Sequence, residues 1–335
     1  MLVEQPAIYS KHLDYEMKTN GVVNGQVYAP TQTASYKRTI LVTGATDGLG
    51  KQLALELASK VRENFVIIHG RTQRNCEKTL QEIAVEQKVL APTNVAFIVA
   101  DFGDFEQVMR MADEIKQRYK SLNIVISCAA TLAKRKLQSK NGLELQFQVN
   151  HMANFALLNL LLPLLEKNVP SRILTVGSML HSLNPIDWDD INCEKTYDKF
   201  RQYSRTNLMN HLMTFCLHRL FFKHHLEFRV TANVVDADQR TDRQVYKSHV
   251  NGTMQDLSAS ESHLCTHSGA VNTLVRLAES PEYASISGKY YNAIGKEIDS
   301  SSEVRDVRLQ NRLWLMSADY CRRLGVEPAE NGVVV

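Results

Sequence analysis

The sequence lacks the cysteine spacings that mark metal-binding or disulfide scaffolds. Its 6 cysteines lie far apart, with no Cys-x-x-Cys pair and no Cys/His ligand spacing. We therefore expect free thiols in a reducing compartment and no metal site. The formal charge is only +3, and no basic stripe is interleaved with aromatic residues, which argues against nucleic acid as a partner.

The sequence also lacks a long apolar segment. The longest apolar run, Phe155–Leu165, is interrupted by Asn159 and Pro163 and is too short to span a bilayer. Met1–Lys37 has no apolar core of the kind that signal peptides carry. We expect a cytoplasmic protein without a transmembrane span. Contact with a membrane surface and assembly into a homo-oligomer both stay open.

What the sequence does contain is a regular alternation of apolar runs and helical patterns. The apolar runs predict strands at Ile40–Val42, Phe65–Gly70, Val95–Asp101, Asn123–Ser127, Arg172–Val176, Val230–Val235 and Lys289–Tyr291. The helical patterns predict helices at Glu77–Lys88, Phe105–Tyr119, Leu143–Leu165, Tyr203–His224, His267–Glu279 and Arg305–Leu324. Strands that are apolar throughout indicate a parallel sheet covered on both faces.

This alternation predicts an α/β fold with a Rossmann-type doubly wound parallel sheet in a single domain. We place that domain at residues 37–325, after a mobile N-terminal arm at 1–36 and before a flexible tail at 326–335. The polar stretch between 236 and 265 has no periodicity and is a candidate substrate loop or lid.

A glycine-rich turn joins the first strand to the first helix. The turn reads Thr43-Gly44-Ala45-Thr46-Asp47-Gly48-Leu49-Gly50, and Leu49, Leu53 and Leu57 then repeat at helical spacing. Glycines let backbone amides approach a pyrophosphate, and the helix N-terminus adds a partial positive charge. The sequence therefore predicts a nucleotide-binding site at this turn.

Three polar residues lie in motifs that come after the fourth predicted strand. Asn150 lies in Phe147-Gln148-Val149-Asn150-His151, Ser178 follows the fifth strand, and Tyr203 ends the segment Trp188–Tyr203. With the glycine turn, these motifs make the chain resemble the retinol-dehydrogenase-like branch of the short-chain dehydrogenase/reductase family over about residues 38–325.

The resemblance implies an NAD(P)(H)-dependent oxidoreductase acting on a small hydrophobic alcohol or carbonyl compound, retinoid- or prenol-like. Tyr203 would exchange the proton, Ser178 would hydrogen-bond the substrate oxygen, and Asn150 would hold a water in a proton relay.

The resemblance also implies which residues hold the cofactor. The glycine turn would cradle it, Asp101 would lie at the adenine, Ser127 and Ala129 would allow close approach, and Thr241 would contact the carboxamide. Arg71 ends the second strand, where an acidic residue would accept the ribose hydroxyls of NAD. Because a guanidinium can pair with a 2′-phosphate, we expect NADP(H) to be preferred over NAD(H).

The sequence departs from the family pattern at three places. Asn207 stands where a lysine normally lowers the pKa of the tyrosine, Ser127–Ala130 replaces Asn-Asn-Ala-Gly, and Ala237-Asp238 replaces Pro-Gly. These changes leave a second hypothesis open: a weakly active or inactive dinucleotide-binding relative with a binding or regulatory role. A second register, with Tyr197 and Arg201 as the tyrosine–cation pair, also stays open.

Two further features have plainer interpretations. His218, His224 and His225 are expected to form a solvated helix end rather than a metal site, and Trp314 is expected to pack in the core.

Overall fold

The structure is a computed structural model that describes residues 36–223, 229–237 and 263–327, together with two short paired segments at 22–23 and 26–27. The sequence-based division into arm, domain and tail stays a prediction, because most of residues 1–35 and all of 328–335 lie outside the described residues. Val326 is buried in the larger of the two cores.

Eight strands form one sheet in the described parts of the chain. They are β1 (Arg38–Thr43), β2 (Asn64–Gly70), β3 (Val95–Val99), β4 (Ile124–Ser127), β5 (Ser171–Gly177), β6 (Val230–Asp236), β7 (Tyr290–Tyr291) and β8 (Glu297–Ile298). Their spatial order is β8-β7-β6-β5-β4-β1-β2-β3. All neighbours are parallel except β7 and β8. This confirms the predicted Rossmann-type sheet.

Helices cover both faces of the sheet. They are α1 (Gly48–Ser59), α2 (Gln73–Gln87), α3 (Phe105–Arg118), α4 (Ala153–Lys167), α5 (Lys199–Lys223), α6 (His263–Glu279), α7 (Ser302–Arg305) and α8 (Val307–Arg323). One apolar core lies under α1, α2 and α6, and the larger one lies under α3, α4, α5 and α8. Trp314 of α8 packs edge-on against Phe155 of α4, with ring centroids 4.9 Å apart.

The parallel register brings the carboxyl ends of the central strands to one edge of the sheet. Thr43 pairs with Ser127, Ser127 pairs with Thr175, and Gly177 pairs with Asp236. Residues that follow these strands therefore gather at one place, which is where ligands bind in open α/β sheets.

The structure differs from the sequence-based elements in three places. The helix predicted from Leu143 starts with a π-helical turn, Phe147–Met152, before α4 begins at Ala153. The last predicted helix is two helices, because Asp306 adopts an extended conformation and its carboxylate caps α8 by accepting from the Arg308 amide at 2.8 Å. The antiparallel β8 was not predicted, since two residues carry no periodic signal.

Candidate active site

The glycine turn after β1 is held in a conformation that needs its glycines. Gly44 has φ +65° and Gly48 has φ +50°, both in the left-handed region. A Cβ on Gly44 would lie 2.7 Å from the Ala129 Cα, and a Cβ on Gly50 would lie 2.3 Å from the Gly44 carbonyl oxygen. Gly44 and Gly50 are therefore required by close backbone packing, whereas a Cβ on Gly48 would meet no atom of the described structure within 4 Å.

The hydroxyl of Thr43 fastens this turn to the end of β4. Its oxygen accepts hydrogen bonds from the amides of Cys128 and Ala129, both at 3.1 Å. The Ser127 hydroxyl is buried beside it and has no hydrogen-bond partner among the described residues. The small residues Ser127–Ala130 thus bring two strand ends into contact, as expected for a cofactor platform.

A buried histidine supports the turn from below, and sequence reasoning missed it. The Gly44 amide donates to His69 Nδ1 at 3.2 Å, and His69 Nε2 lies 3.0 Å from the Ala100 carbonyl oxygen. Burial lowers the pKa of His69 to about 4, so the ring is neutral at pH 7 and Nε2 carries the proton. The sequence signal was a single polar residue at the end of an otherwise apolar strand.

The first turn of α1 presents amides to a ligand. Asp47 caps the helix by accepting from the Gly48 amide at 2.8 Å, and the regular helical ladder begins with the Lys51 amide bonding to the Asp47 carbonyl. The amides of Leu49 and Gly50 consequently have no acceptor inside the helix. Such groups at a helix N-terminus fit a pyrophosphate.

Two arginines follow β2 next to this turn. Arg71, which the sequence singled out, is exposed and forms no ion pair with any described residue. Arg74 in the first turn of α2 is also exposed and, within the described ranges, has no acidic partner; sequence reasoning did not single it out. Asp101 after β3 accepts from the Gly103 amide at 2.8 Å through one carboxylate oxygen, Oδ1. The residues at this edge fit a dinucleotide, and Arg71 and Arg74 add exposed positive charge beside it.

Ser178 starts a short 3₁₀ turn, Met179–Ser182, directly after β5. Its Oγ accepts a hydrogen bond from the Leu180 amide at 3.2 Å, which leaves the hydroxyl hydrogen free to donate to a substrate oxygen. The Ser204 hydroxyl donates to the Leu180 carbonyl at 2.6 Å. Since Ser204 adjoins Tyr203, this bond brings the helix of Tyr203 against the turn of Ser178.

Asn207 is turned back onto its own helix. Its Nδ2 donates to the Tyr203 carbonyl oxygen at 2.9 Å, and Thr206 Oγ1 donates to the same oxygen at 2.9 Å. The side chain that replaces the family lysine therefore bonds the backbone of the tyrosine one turn earlier and brings no positive charge to the site.

Asn150 lies in the π-helical turn and is held by protein groups on every side. Its side chain accepts from the Thr131 amide at 2.7 Å and donates to the Thr131 carbonyl at 3.0 Å and to Thr206 Oγ1 at 3.1 Å. Its backbone carbonyl accepts from Asn154 and Asn210 at 2.8 and 2.9 Å. Asn150 thus ties the segment after β4 to α5, and its role in a proton relay stays a prediction.

The second register, with Tyr197 and Arg201, has a different geometry. The Tyr197 hydroxyl donates to the Ala133 carbonyl at 2.7 Å and accepts from Gln146 at 2.8 Å, and burial raises its pKa to about 12. Arg201 is exposed. Because the hydroxyl of Tyr197 is occupied in bracing two loops, the geometry argues against the second register, and the role of Tyr203 stays a prediction.

The remaining predicted positions are distributed as follows. Ala237 donates its amide to the Gly177 carbonyl at 3.1 Å, while Asp238, Thr241 and most of the predicted lid lie outside the described residues. His218 is half-buried and bonded to Ser287 at 3.0 Å. His224 and His225 fall outside the described ranges.

The described residues offer neither a metal-binding group of side chains nor a helix that could cross a membrane. They contain no group of three His, Cys, Asp or Glu side chains arranged to hold a metal ion. None of the helices in the described ranges combines the length and apolar character that crossing a membrane requires.

Proteins of known family that are similar in sequence to this chain include dehydrogenases, in agreement with the fold and the glycine turn. The family model for short chain dehydrogenases matches residues 38–188. Human retinol dehydrogenase 14 is 30% identical over 84% of this chain and 85% of its own length. Human polyprenol dehydrogenase is 29% identical over 86% of each chain.

A solved structure shares the fold. The short chain dehydrogenase of Escherichia coli, determined in complex with NADPH, superposes with a TM-score of 0.56 at 20% identity, covering 79% of this chain and 99% of that one. The two relatives named above are both dehydrogenases by name, so they lend no support to the hypothesis of a purely nucleotide-binding protein.

Proposed function

Because the chain belongs to the short-chain dehydrogenase family, within its retinol-dehydrogenase-like branch, we propose that it is an NADP(H)-dependent oxidoreductase for a hydrophobic alcohol or carbonyl compound. The family binds NAD(P), and the cofactor supplies or accepts the hydride. The observation that carries the proposal is the bond between Ser204 and the Leu180 carbonyl, which brings Tyr203 and Ser178 to the same edge of the sheet as the glycine turn.

The chain's own groups have distinct tasks in this reaction. Ser178 donates its free hydroxyl hydrogen to the substrate oxygen, which stabilises the negative charge that develops there during reduction. Tyr203 delivers a proton to that oxygen, or removes one in the direction of oxidation. Asn207, one turn away, carries no charge that would favour the phenolate. For alcohol oxidation, in which the phenolate accepts the proton, we therefore expect slow turnover at neutral pH that increases towards high pH.

The preference for NADP(H) rests on the two exposed arginines beside the glycine turn. Arg71 and Arg74 have no acidic partner among the described residues, so a 2′-phosphate would not have to displace an existing ion pair. The substrate class rests on the relatives, which are named for retinol and polyprenol, two lipophilic alcohols.

The test is a comparison of both cofactors with a panel of substrates. NADPH and NADH are titrated against the purified protein, and reduction and oxidation are measured with retinoid, prenol and short polar compounds. We expect tighter NADPH binding, turnover of the lipophilic set, and an increase of about tenfold or more in the NADPH dissociation constant of Arg71→Ala, with NADH little changed. Equal affinities for both cofactors would refute the cofactor assignment, and turnover of only the polar compounds would refute the substrate class.

A further inference from the structure

Two buried imidazoles stack directly behind the turn that carries Ser178. The rings of His181, from the 3₁₀ turn, and His211, from α5, lie 3.9 Å apart with 14° between their planes. The ring of Tyr290, in β7, packs roughly perpendicular to both imidazoles, with centroids 5.4 Å from His181 and 4.7 Å from His211. None of these three residues has a task in the reaction described above.

The hydrogen bonds of this pair fix the tautomer of His181. His181 Nδ1 lies 2.9 Å from the Ser178 carbonyl oxygen, which can only accept, so Nδ1 carries the proton. His181 Nε2 then accepts from the Ser301 amide at 3.1 Å and lies 3.2 Å from Ser300 Oγ. His211 Nδ1 lies 2.9 Å from the same Ser300 Oγ. The bonds form a chain from His211 through Ser300 and His181 to the carbonyl of Ser178.

Neighbouring groups fix the chain in place. A Cβ on Gly177 would lie 2.4 Å from His211 Nε2, so the ring fills the space beside the residue that precedes Ser178. The Tyr290 hydroxyl donates to Asp236 Oδ2 at 2.8 Å, and Asp236 ends β6 just before Ala237. Both strand ends that border the site are therefore held from behind.

Burial favours the neutral form of His211, and a hydrogen bond favours the neutral form of His181. Burial, with the neighbouring His181, lowers the pKa of His211 well below its ordinary value. A proton on His181 Nε2 would also remove the acceptor of the partly buried Ser301 amide. His181 thus donates to the Ser178 carbonyl through Nδ1 and accepts from the Ser301 amide at Nε2.

We infer that His181, His211 and Ser300 are positioning residues for Ser178, an assignment that rests on the proposed dehydrogenase function. The backbone of Ser178 is held by the His181 imidazole, and its Oγ is held by the Leu180 amide within the same turn. A shift of that turn moves the hydroxyl that meets the substrate oxygen. The segment at 300–301, distant in sequence, consequently sets the placement of the hydroxyl through the His181 imidazole, and His211 supports Ser300.

Four variants test this chain. His181→Phe keeps the ring stack and removes both nitrogens, and Ser300→Ala cuts the link between the two histidines. His181→Asn restores an N–H at the place of Nδ1. His218→Asn is the matched control, because His218 lies on the same helix and also bonds a serine, Ser287, away from the site.

We expect His181→Phe and Ser300→Ala to lower kcat by roughly tenfold to a hundredfold, since a small misplacement of a reacting group has effects of that size. KM and the NADPH dissociation constant should stay within about threefold of wild type, because Ser178 acts mainly in the transition state. His181→Asn should recover most of the lost rate, and His218→Asn should leave it unchanged. An unchanged kcat in Ser300→Ala, or no recovery in His181→Asn, would overturn the assignment.

A second readout does not depend on turnover. In protein labelled with [15N]methionine, the Met179 amide nitrogen is bonded to the Ser178 carbonyl carbon and reports hydrogen bonding at that carbonyl; Met179→Leu assigns its resonance. We expect the resonance to move in His181→Phe and Ser300→Ala and to stay in place in His218→Asn. Wild-type protein that turns over no substrate would contradict the proposed function, and this resonance would then decide the positioning inference: movement supports it and an unmoved signal overturns it.

Discussion

The half of the site around the glycine turn keeps the features expected of the family, whereas the half around Tyr203 lacks one of them. In the first half, Gly44 and Gly50 occupy positions where no Cβ fits, and His69 holds the turn from below. In the second half, the side chain that the family uses as a cation is Asn207, folded onto its own helix. The backbone geometry for a dinucleotide is kept, whereas the electrostatic support for the tyrosine is not.

The largest effect among the variants that test this comparison is expected at Gly44. Gly44→Ala places a Cβ 2.7 Å from the Ala129 backbone in a left-handed conformation. We expect a loss of about 3 kcal/mol or more in the free energy of unfolding and loss of dinucleotide binding. Gly48→Ala is the matched control: its φ is also positive, but the Cβ space is open, so a loss of about 1 kcal/mol is expected. Urea unfolding of both variants gives the two values, and equal losses would contradict the packing argument.

The second prediction concerns the tyrosine. Tyr203→Phe should lower the rate by about a hundredfold or more, since it removes the proton donor of the reaction. Tyr197→Phe serves as control, because its hydroxyl braces Ala133 and Gln146 rather than the reacting groups. Steady-state kinetics of the two variants, with NADPH binding measured in parallel, test the assignment. A greater loss of rate in Tyr197→Phe would favour the second register.

The third prediction concerns how His69, beneath the glycine turn, makes the stability of the protein depend on pH. The folded-state pKa of His69, about 4, lies below the ordinary value of 6.5. The unfolded chain therefore binds a proton that the folded chain excludes between these values, and stability should decrease as the pH falls from about 6.5 to 4.

His69→Asn keeps an acceptor for the Gly44 amide and does not titrate. Between pH 7.5 and 5, we expect this variant to lose about 1–2 kcal/mol less stability than wild type. Urea midpoints at the two pH values provide the measurement. His151 is buried with a similarly lowered pKa and should supply part of the remaining pH dependence. A variant as pH-sensitive as wild type would show that His69 is not neutral in the folded chain.

The smallest effect is expected where charge is restored to the second half. Asn207→Lys places a cation one turn from Tyr203, and an opposite charge within about 4–6 Å lowers a phenol pKa by roughly 1–3 units. We expect alcohol oxidation to be about tenfold faster at pH 7 and to depend less on high pH. Asn207→Gln, longer but uncharged, should give no increase. pH–rate profiles of the three proteins decide between a charge effect and a size effect.

The sequence was sufficient for the parts of the fold that depend on local patterns. Apolar strands and the glycine turn have signals of period and residue type, so the sheet and the place of the turn followed from them. The break at Asp306 and the two-residue β8 were missed, because an isolated cap and a short antiparallel edge depend on neighbours distant in sequence.

The supporting residues of the site were harder to find for the same reason. His69 bonds Gly44, which is 25 positions away, and His181 bonds Ser300, which is 119 positions away. No spacing rule connects such pairs, and a histidine in an apolar strand or helix is equally compatible with a simple packing role. The positions singled out around Ser178 and Tyr203 came from a motif; what holds them in place required coordinates.

The folded-back amide of Asn207 has a consequence in terms of the genetic code. Asparagine and lysine codons differ only in their third base, so one base substitution separates this side chain from a cation. The bond from Asn207 to the Tyr203 carbonyl is local to one helix turn, and no other described residue depends on it. Random mutagenesis followed by selection for alcohol oxidation at neutral pH would therefore reach Asn207→Lys in a single mutational step.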